Sequence, residues 1–146
     1  MTIVPPLAGR GQLVLDEREL REWGQSFGAS AAPPLVVALN GDLGTGKTTL
    51  IQAICLGYGT KEPVTSPTYA LVHRYDAPRS AVFHLDLYRL ENEAQLTNIG
   101  WDDVMSSDTL VLVEWAERAG DRMPPHVPIV MEYAPGDENR RILLAG

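Results

Sequence analysis

The sequence predicts an α/β fold with three layers, in which helices cover both faces of a central mixed, largely parallel sheet. Three observations support this prediction. Strand and helix patterns alternate along the first half of the chain, two short apolar runs have the composition of strands buried on both faces, and paired strand patterns occur twice. The length of 146 residues predicts one domain that spans residues 1–146.

The first elements are predicted by a helix-start signal and by apolar periodicity. Asp16 has the character of an N-cap residue, and Glu19 stands at the third following position, as in a capping box. The helix that follows carries apolar residues at helical spacing, namely Leu20, Trp23 and Phe27. The predicted order is strand, helix, buried strand and helix, over residues 12–15, 17–27, 35–39 and 47–58.

The remainder of the chain predicts shorter elements. Strand patterns are separated by turn residues, such as Asp76 and Pro78 in the middle of the chain and Gly136 near its end. The predicted elements are strands over residues 70–75 and 81–85, short helices over 91–96 and 101–105, a buried strand over 110–113, and a hairpin over 127–133 and 140–144.

The charge balance limits the classes of partner. The chain has 12 basic and 19 acidic side chains and a formal net charge of −7. A large phosphate-backbone footprint needs clustered Lys and Arg, so tight direct binding to nucleic acid is not expected. The single cysteine, Cys55, excludes an internal disulfide. Since no apolar run reaches about 18 residues and residues 1–11 show no signal-peptide pattern, we expect a cytoplasmic protein without membrane contact.

A glycine-rich segment follows the first buried strand and carries the most specific chemical signal. It reads Gly41-Asp42-Leu43-Gly44-Thr45-Gly46-Lys47-Thr48 and matches the P-loop pattern. In this pattern backbone N–H groups surround phosphate oxygens at a helix N-terminus, the lysine reaches the β- and γ-phosphates, and the threonine hydroxyl binds magnesium. An ordinary glycine turn is the alternative. The strand before and the helix after the segment favour the P-loop, and therefore a P-loop NTPase-like domain that binds ATP or ADP with Mg²⁺.

A P-loop enzyme also needs a carboxylate at the tip of a neighbouring strand, to hold magnesium directly or through water. Two carboxylates end apolar runs in this chain, Asp86 and Glu114. Each could instead be a solvated strand end or a cap for the next helix. The pattern alone does not rank the two.

Thr65, Ser66 and Thr68 lie between the P-loop helix and the next strand. This is the position of the switch loop in many nucleotide switches, where a hydroxyl senses the γ-phosphate. A simple Ser-Pro turn is the alternative for this segment.

Taken together, these segments resemble the bacterial TsaE family, formerly YjeE, the ATPase component of the machinery that makes threonylcarbamoyladenosine on tRNA. The resemblance covers residues 35–117 well and extends more weakly back to Asp16. It depends on four segments: GDLGTGKTT at residues 41–49, VTSPTY at 64–69, HLDLYRL at 84–90 and EW at 114–115.

The resemblance implies a role for each segment. Thr48 and Glu114 would hold magnesium, and Asp86 with Lys47 would support hydrolysis at the γ-phosphate. Residues 65–68 would form the switch loop. The nucleotide would contact the glycine-rich loop, Trp115, and Glu17, which would lie beside the adenine. The full set implied by the resemblance is Gly41, Asp42, Leu43, Gly44, Thr45, Gly46, Lys47, Thr48, Thr49, Glu17 and Trp115.

The resemblance also implies partners. Family members work with TsaD and TsaB, which transfer the threonylcarbamoyl group, and the ATPase is thought to reset that complex between turnovers. Contact with tRNA would therefore be indirect. The chain departs from the family at Thr45, where alanine is usual, and at Ala70, where threonine is common. The tail after Met123 matches poorly.

Several other residues have simpler interpretations. Cys55 is predicted as a core side chain, and Trp23 and Trp101 are predicted as core or interface aromatics. His84 is interpreted as a packing residue, since no partner at metal-ligand spacing is visible. Arg140 and Arg141 are interpreted as a solvated strand edge.

Two other functions are compatible with a P-loop. A small-molecule or nucleoside kinase needs an arginine-rich lid over the phosphates, and after Glu114 only Arg118 and Arg122 precede a proline break. A nucleotide-dependent binding module without useful turnover is the third hypothesis. Release of free phosphate from ATP, transfer to a small acceptor, or unchanged ATP would distinguish the three.

Overall fold

A computed structural model of the chain describes residues 12–42, 44–62, 64 and 71–145. Within these ranges the strands form one seven-stranded sheet. They are β1 (Gln12–Leu15), β2 (Leu35–Gly41), β3 (Val72–Tyr75), β4 (Val82–Asp86), β5 (Leu110–Glu114), β6 (Val127–Ala134) and β7 (Asp137–Ala145).

The sheet is parallel in its middle and antiparallel at both edges. The strand order is β1-β7-β6-β2-β5-β4-β3. The neighbours β6, β2, β5 and β4 run parallel, whereas β1, β7 and β3 pair antiparallel with their neighbours. The predicted mixed sheet of a three-layer α/β fold is confirmed.

The helices of the described chain separate into a long pair and a short set: α1 (Glu17–Ser30), α2 (Lys47–Tyr58), α3 (Ala94–Asn98), α4 (Trp101–Met105) and a 3₁₀ helix (Ala116–Arg122). Helix α1 is three residues longer than predicted. Its last carbonyls find a tertiary partner, because Arg79 donates to the Gly28 carbonyl at 2.9 Å and also to the Ala31 carbonyl. This cap comes from a residue distant in sequence, which local pattern could not show.

Two hydrophobic clusters lie on opposite faces of the sheet. Helices α1 and α2 cover the first, where Phe27, Ile54 and Leu112 are wholly buried. The second lies under α4 and the 3₁₀ helix and contains Trp101. Trp23, Trp101 and Cys55 are buried as predicted, and burial raises the pKa of the Cys55 thiol to about 12. None of the described helices has the length and apolarity needed to cross a bilayer.

The register of the parallel strands places the two candidate carboxylates at one edge of the sheet. Leu39 on β2 and Asp86 on β4 are both paired with Glu114 on β5. The carboxyl ends of these strands therefore meet where β2 passes into the glycine-rich loop. In open α/β sheets this edge is the usual position of a ligand site.

Candidate nucleotide-binding site

The glycine-rich loop turns tightly before α2 begins. The Thr45 backbone N–H and side-chain hydroxyl donate to the Asp42 carbonyl at 3.2 Å and 2.7 Å. Gly46 precedes the helix in a left-handed conformation with φ of 99°, which glycine adopts without strain. Within the described part of the chain, no side-chain hydrogen bond caps α2 at this end. Its first N–H groups therefore form the kind of helix N-terminus that binds anions.

Lys47, the first residue of α2, is held by two contacts. Its Nζ donates to the Gly41 carbonyl at 2.5 Å and lies 4.0 Å from the centre of the Trp115 ring. Only 6% of Lys47 is exposed. Trp115 itself is left-handed, with φ of 58°, an uncommon conformation for a residue with a side chain. The ammonium group thus lies between the start of the loop and an aromatic face at the carboxyl end of β5.

A cavity of about 300 Å³ lies beside Lys47. Its walls come from the loop, the start of α2, and the ends of β4 and β5. The lining residues are Gly44, Gly46, Lys47, Thr48, Thr49, Asp86, Tyr88, Glu114 and Trp115. The structure therefore brings both candidate carboxylates together with Lys47 and Thr48. The oxygen donors among them are of the kind that Mg²⁺ takes, which makes the residue set suitable for that ion.

Glu114 is buried and forms a hydrogen bond that sequence reasoning missed. Its Oε2 lies 2.8 Å from His84 Nε2, and the two side chains are 5% and 0% exposed. His84 is wholly buried, as the packing interpretation predicted, and its hydrogen bond to Glu114 is a further contact that the sequence did not predict. His84 is two residues before Asp86 on β4. Its ring contacts Glu114, the candidate metal ligand on the neighbouring strand β5. Because side chains alternate along a strand, the sequence places His84 and Asp86 on the same face of β4. This spacing could have predicted that His84 lies next to the candidate site.

Asp86 lies in a different environment from Glu114. Its side chain is only part-buried, and its Oδ1 accepts a hydrogen bond from the Tyr88 backbone N–H at 3.0 Å. Burial raises the pKa of Asp86, and the charge of Glu114 adds to this effect. The Tyr88 hydrogen bond and the positive charge of Lys47 oppose the rise in pKa. A carboxylate at this place is available to a ligand in the cavity.

A second cavity, of about 330 Å³, lies on the other side of the loop. It contains Glu17 at the start of α1, where the predicted capping box is present: Glu19 N donates to Asp16 Oδ1 at 2.8 Å, and Asp16 N to Glu19 Oε1 at 3.1 Å. The hydrogen bond from the Glu19 N–H lowers the pKa of Asp16. This cavity is lined by residues near both ends of the chain together with residues of the glycine-rich loop and α2: Asp16, Glu17, Leu20, Gly44, Thr45, Gly46, Thr49, Asn139 and Arg141.

Arg141 was interpreted as part of a solvated edge, and this was wrong. Its Nε donates to the Thr45 carbonyl at 3.1 Å, which joins β7 to the glycine-rich loop. Its guanidinium also lies 4.5 Å from the centre of the Tyr133 ring. The contact spans almost the whole sequence and could not be found locally. Arg140, by contrast, is exposed and pairs with Asp137 and Glu19.

An aromatic pair and an arginine lie at the rim of the first cavity. The rings of Tyr88 and Trp115 have their centres 5.0 Å apart. The Arg118 guanidinium is 5.6 Å from the Tyr88 ring and 6.0 Å from the Trp115 ring. Sequence analysis had treated Arg118 only as an insufficient lid and had given Tyr88 no role.

Some predicted site residues do not line these cavities or lie outside the described part of the chain. Asp42 contributes its backbone carbonyl to the loop, and its side chain is exposed. The residues Leu43, Thr65, Ser66 and Thr68 lie outside the described part of the chain.

A protein-family model described as "Threonylcarbamoyl adenosine biosynthesis protein TsaE" matches residues 14–142. The chain belongs to the TsaE family. A TsaE relative from Nostoc is 35% identical over 129 residues, which cover 86% of this chain and 78% of the relative. A TsaE relative from Haemophilus influenzae is 35% identical over 138 residues, which cover 91% and 87% of the two chains.

The fold is similar to a solved structure. The crystal structure of Bacillus subtilis YdiB superimposes with a TM-score of 0.72 and 27% sequence identity, over 92% of this chain and 85% of that chain. Both TsaE relatives carry the name "tRNA threonylcarbamoyladenosine biosynthesis protein". The resemblance to the TsaE family that was drawn from four short segments is confirmed.

Proposed function

We propose that this chain is a magnesium-dependent P-loop ATPase that acts in tRNA threonylcarbamoyladenosine biosynthesis. The observation that carries the proposal is the convergence of Lys47, Asp86 and Glu114 on one cavity at the start of α2. Phosphoryl transfer depends mainly on positioning and on charge stabilisation, and this cavity supplies a cation, a helix N-terminus and two carboxylates.

Each group has a distinct proposed role. Lys47 binds the β- and γ-phosphates once a nucleotide replaces its contact with the Gly41 carbonyl. Thr48 and the buried Glu114 would hold Mg²⁺, which would supply positive charge to neutralise the phosphates. Asp86 orients the attacking water or accepts its proton, because it is the more accessible carboxylate.

The second cavity is the proposed place of the nucleoside. Glu17 and Thr49 line it, and it adjoins the phosphate loop through Gly44 and Gly46. The switch role of residues 65–68 stays a proposal from the family resemblance. ADP would remain bound through the same loop after hydrolysis.

The pathway and the partners rest on family membership. We propose that ATP hydrolysis by this chain drives or resets a TsaB–TsaD complex between rounds of tRNA modification, and that this chain meets tRNA only through those partners. The net charge of −7 agrees with indirect contact. Hydrolysis in isolation should be slow, since an arginine supplied by a partner can add about 10³–10⁵ in rate.

Two experiments test the proposal. Thin-layer analysis of γ-labelled ATP should show free phosphate; label on a small acceptor would support a kinase, and unchanged ATP a binding module. Reconstitution of threonylcarbamoyl transfer with purified TsaB and TsaD, with and without this chain, tests the pathway. Multiple rounds of modification should require this chain and its hydrolysis should rise with the pair. Equal modification without it would refute the role.

A further inference from the structure

The buried contact between His84 and Glu114 has features that packing does not explain. His84 lies opposite Leu112 in the β4–β5 register, and Glu114 lies two residues further along β5. The histidine ring therefore reaches diagonally across the strand pair to place Nε2 at 2.8 Å from Glu114 Oε2. The contact is made on a covered face of the sheet, where the His84 side chain has no exposed surface.

The surroundings of the other ring nitrogen indicate which of the two nitrogens carries the hydrogen. Nδ1 of His84 is buried and has no hydrogen-bond partner among the described residues. A hydrogen on Nδ1 would be a buried donor without an acceptor, and Nε2 would then face the carboxylate without a hydrogen. The geometry thus favours the form in which Nε2–H donates to Glu114. An apolar side chain would fill the same space without burying an unpartnered nitrogen, so packing alone gives no reason for a histidine here.

We propose that His84 is a positioning residue that holds the Glu114 carboxylate for magnesium. The Nε2–H donates to Oε2, and this leaves Oε1 for the ion or for a water bound to it. Among the described residues, Glu114 has no other side-chain hydrogen bond. The inference rests on the proposed magnesium site, and it adds the residue that orients the ligand. Partners of this kind commonly change metal affinity about 10–100-fold when they are removed.

The first test needs no variant. Nitrogen-15 NMR of the wild-type protein with labelled histidine distinguishes a ring hydrogen on Nε2 from one on Nδ1 alone. We expect the His84 ring to carry hydrogen on Nε2. A ring whose Nε2 has no hydrogen overturns the proposal, because that atom then cannot donate to Glu114.

The second test compares three variants by calorimetry with ADP, in the presence and absence of Mg²⁺. His84→Leu should lower the Mg²⁺-dependent gain in ADP affinity about 10–100-fold, while Mg²⁺-free ADP affinity stays near that of the wild type. His84→Gln retains a side-chain N–H donor and should recover most of the gain. His73→Leu is the matched control, since His73 is the register neighbour of His84 on β3 and should change neither value.

A structural role alone would lower both affinities together and would not be rescued by glutamine. If His84→Leu folds and keeps the full Mg²⁺ effect, the proposal is overturned. If His84→Leu does not fold, the comparison of His84→Gln with the wild type and the NMR result still test whether His84 donates to Glu114. If the wild-type protein itself binds ADP without any Mg²⁺ effect, the proposed ATPase site fails rather than the role of His84 alone.

Discussion

Asp86 and Glu114 are register partners at the carboxyl ends of two adjacent parallel strands, yet only Glu114 is buried. Glu114 Oε2 is hydrogen-bonded to the buried His84 Nε2, whereas Asp86 Oδ1 accepts a hydrogen bond from the Tyr88 backbone N–H at the cavity rim. Two carboxylates on neighbouring strand ends thus have different environments. When two neighbouring carboxyl groups lie in different environments, their pKa values differ and they can take separate roles.

This difference predicts that replacing each carboxylate by its isosteric amide, in Glu114→Gln and Asp86→Asn, affects a different property. Glu114→Gln should reduce the Mg²⁺ dependence of nucleotide binding by at least about tenfold, because it removes a charged oxygen ligand. Asp86→Asn should lower hydrolysis by about 10²-fold or more with nucleotide binding largely kept. Magnesium titrations and single-turnover hydrolysis of both variants measure this. The reverse order of effects would exchange the two roles.

The raised pKa of Asp86 predicts how stability depends on pH. The pKa of Asp86 in the folded state lies above the ordinary value of 3.8, so the ionised carboxylate lowers the free energy of unfolding at neutral pH. This loss of stability disappears as the pH falls through the folded pKa toward 3.8. Asp86→Asn should therefore be at least as stable as the wild type at neutral pH. The difference in the free energy of unfolding between the variant and the wild type should decrease on acidification. Thermal unfolding at a series of pH values measures the difference. A gap that widens toward acid would contradict the assigned direction.

Lys47→Met should abolish productive ATP binding while the protein stays folded. Methionine fills a similar volume next to Trp115 but lacks the ammonium group that now donates to the Gly41 carbonyl. Calorimetry with Mg·ATP measures binding, and circular dichroism checks the fold. Lys61→Met is the control, since Lys61 is exposed and does not line the phosphate cavity. Wild-type affinity in Lys47→Met would refute the P-loop assignment.

Gly28→Ala should destabilise the contact between α1 and α2. A Cβ at this position would lie 2.0 Å from the Ile54 carbonyl oxygen, so the two helices would have to move apart. Overpacking of this kind costs about 1–3 kcal/mol. Ser26→Ala on the exposed side of the same helix should change stability by less than about 0.5 kcal/mol. Urea unfolding of both variants measures the difference, and equal midpoints would show that the helices adjust without cost.

Local sequence signals were sufficient for most of the fold. The capping box at Asp16 and the apolar spacing of the first helix predicted where α1 starts, and buried apolar runs predicted β2 and β5. These signals work because a few neighbouring residues decide helix starts and strand burial. The end of α1 was missed, since its last carbonyls are capped by Arg79, which is far away in sequence.

The sequence by itself determined the glycine-rich loop, its lysine and threonine, and the two strand-end carboxylates, because each of these depends on short spacing. Only the tertiary structure decided that His84 binds Glu114 and that Arg141 binds the loop at Thr45. Both contacts join residues at least 30 positions apart, and they depend on which strands become neighbours in the sheet and in what register. The order of strands is set by burial of the whole sheet between two helix layers, so no local segment contains that information.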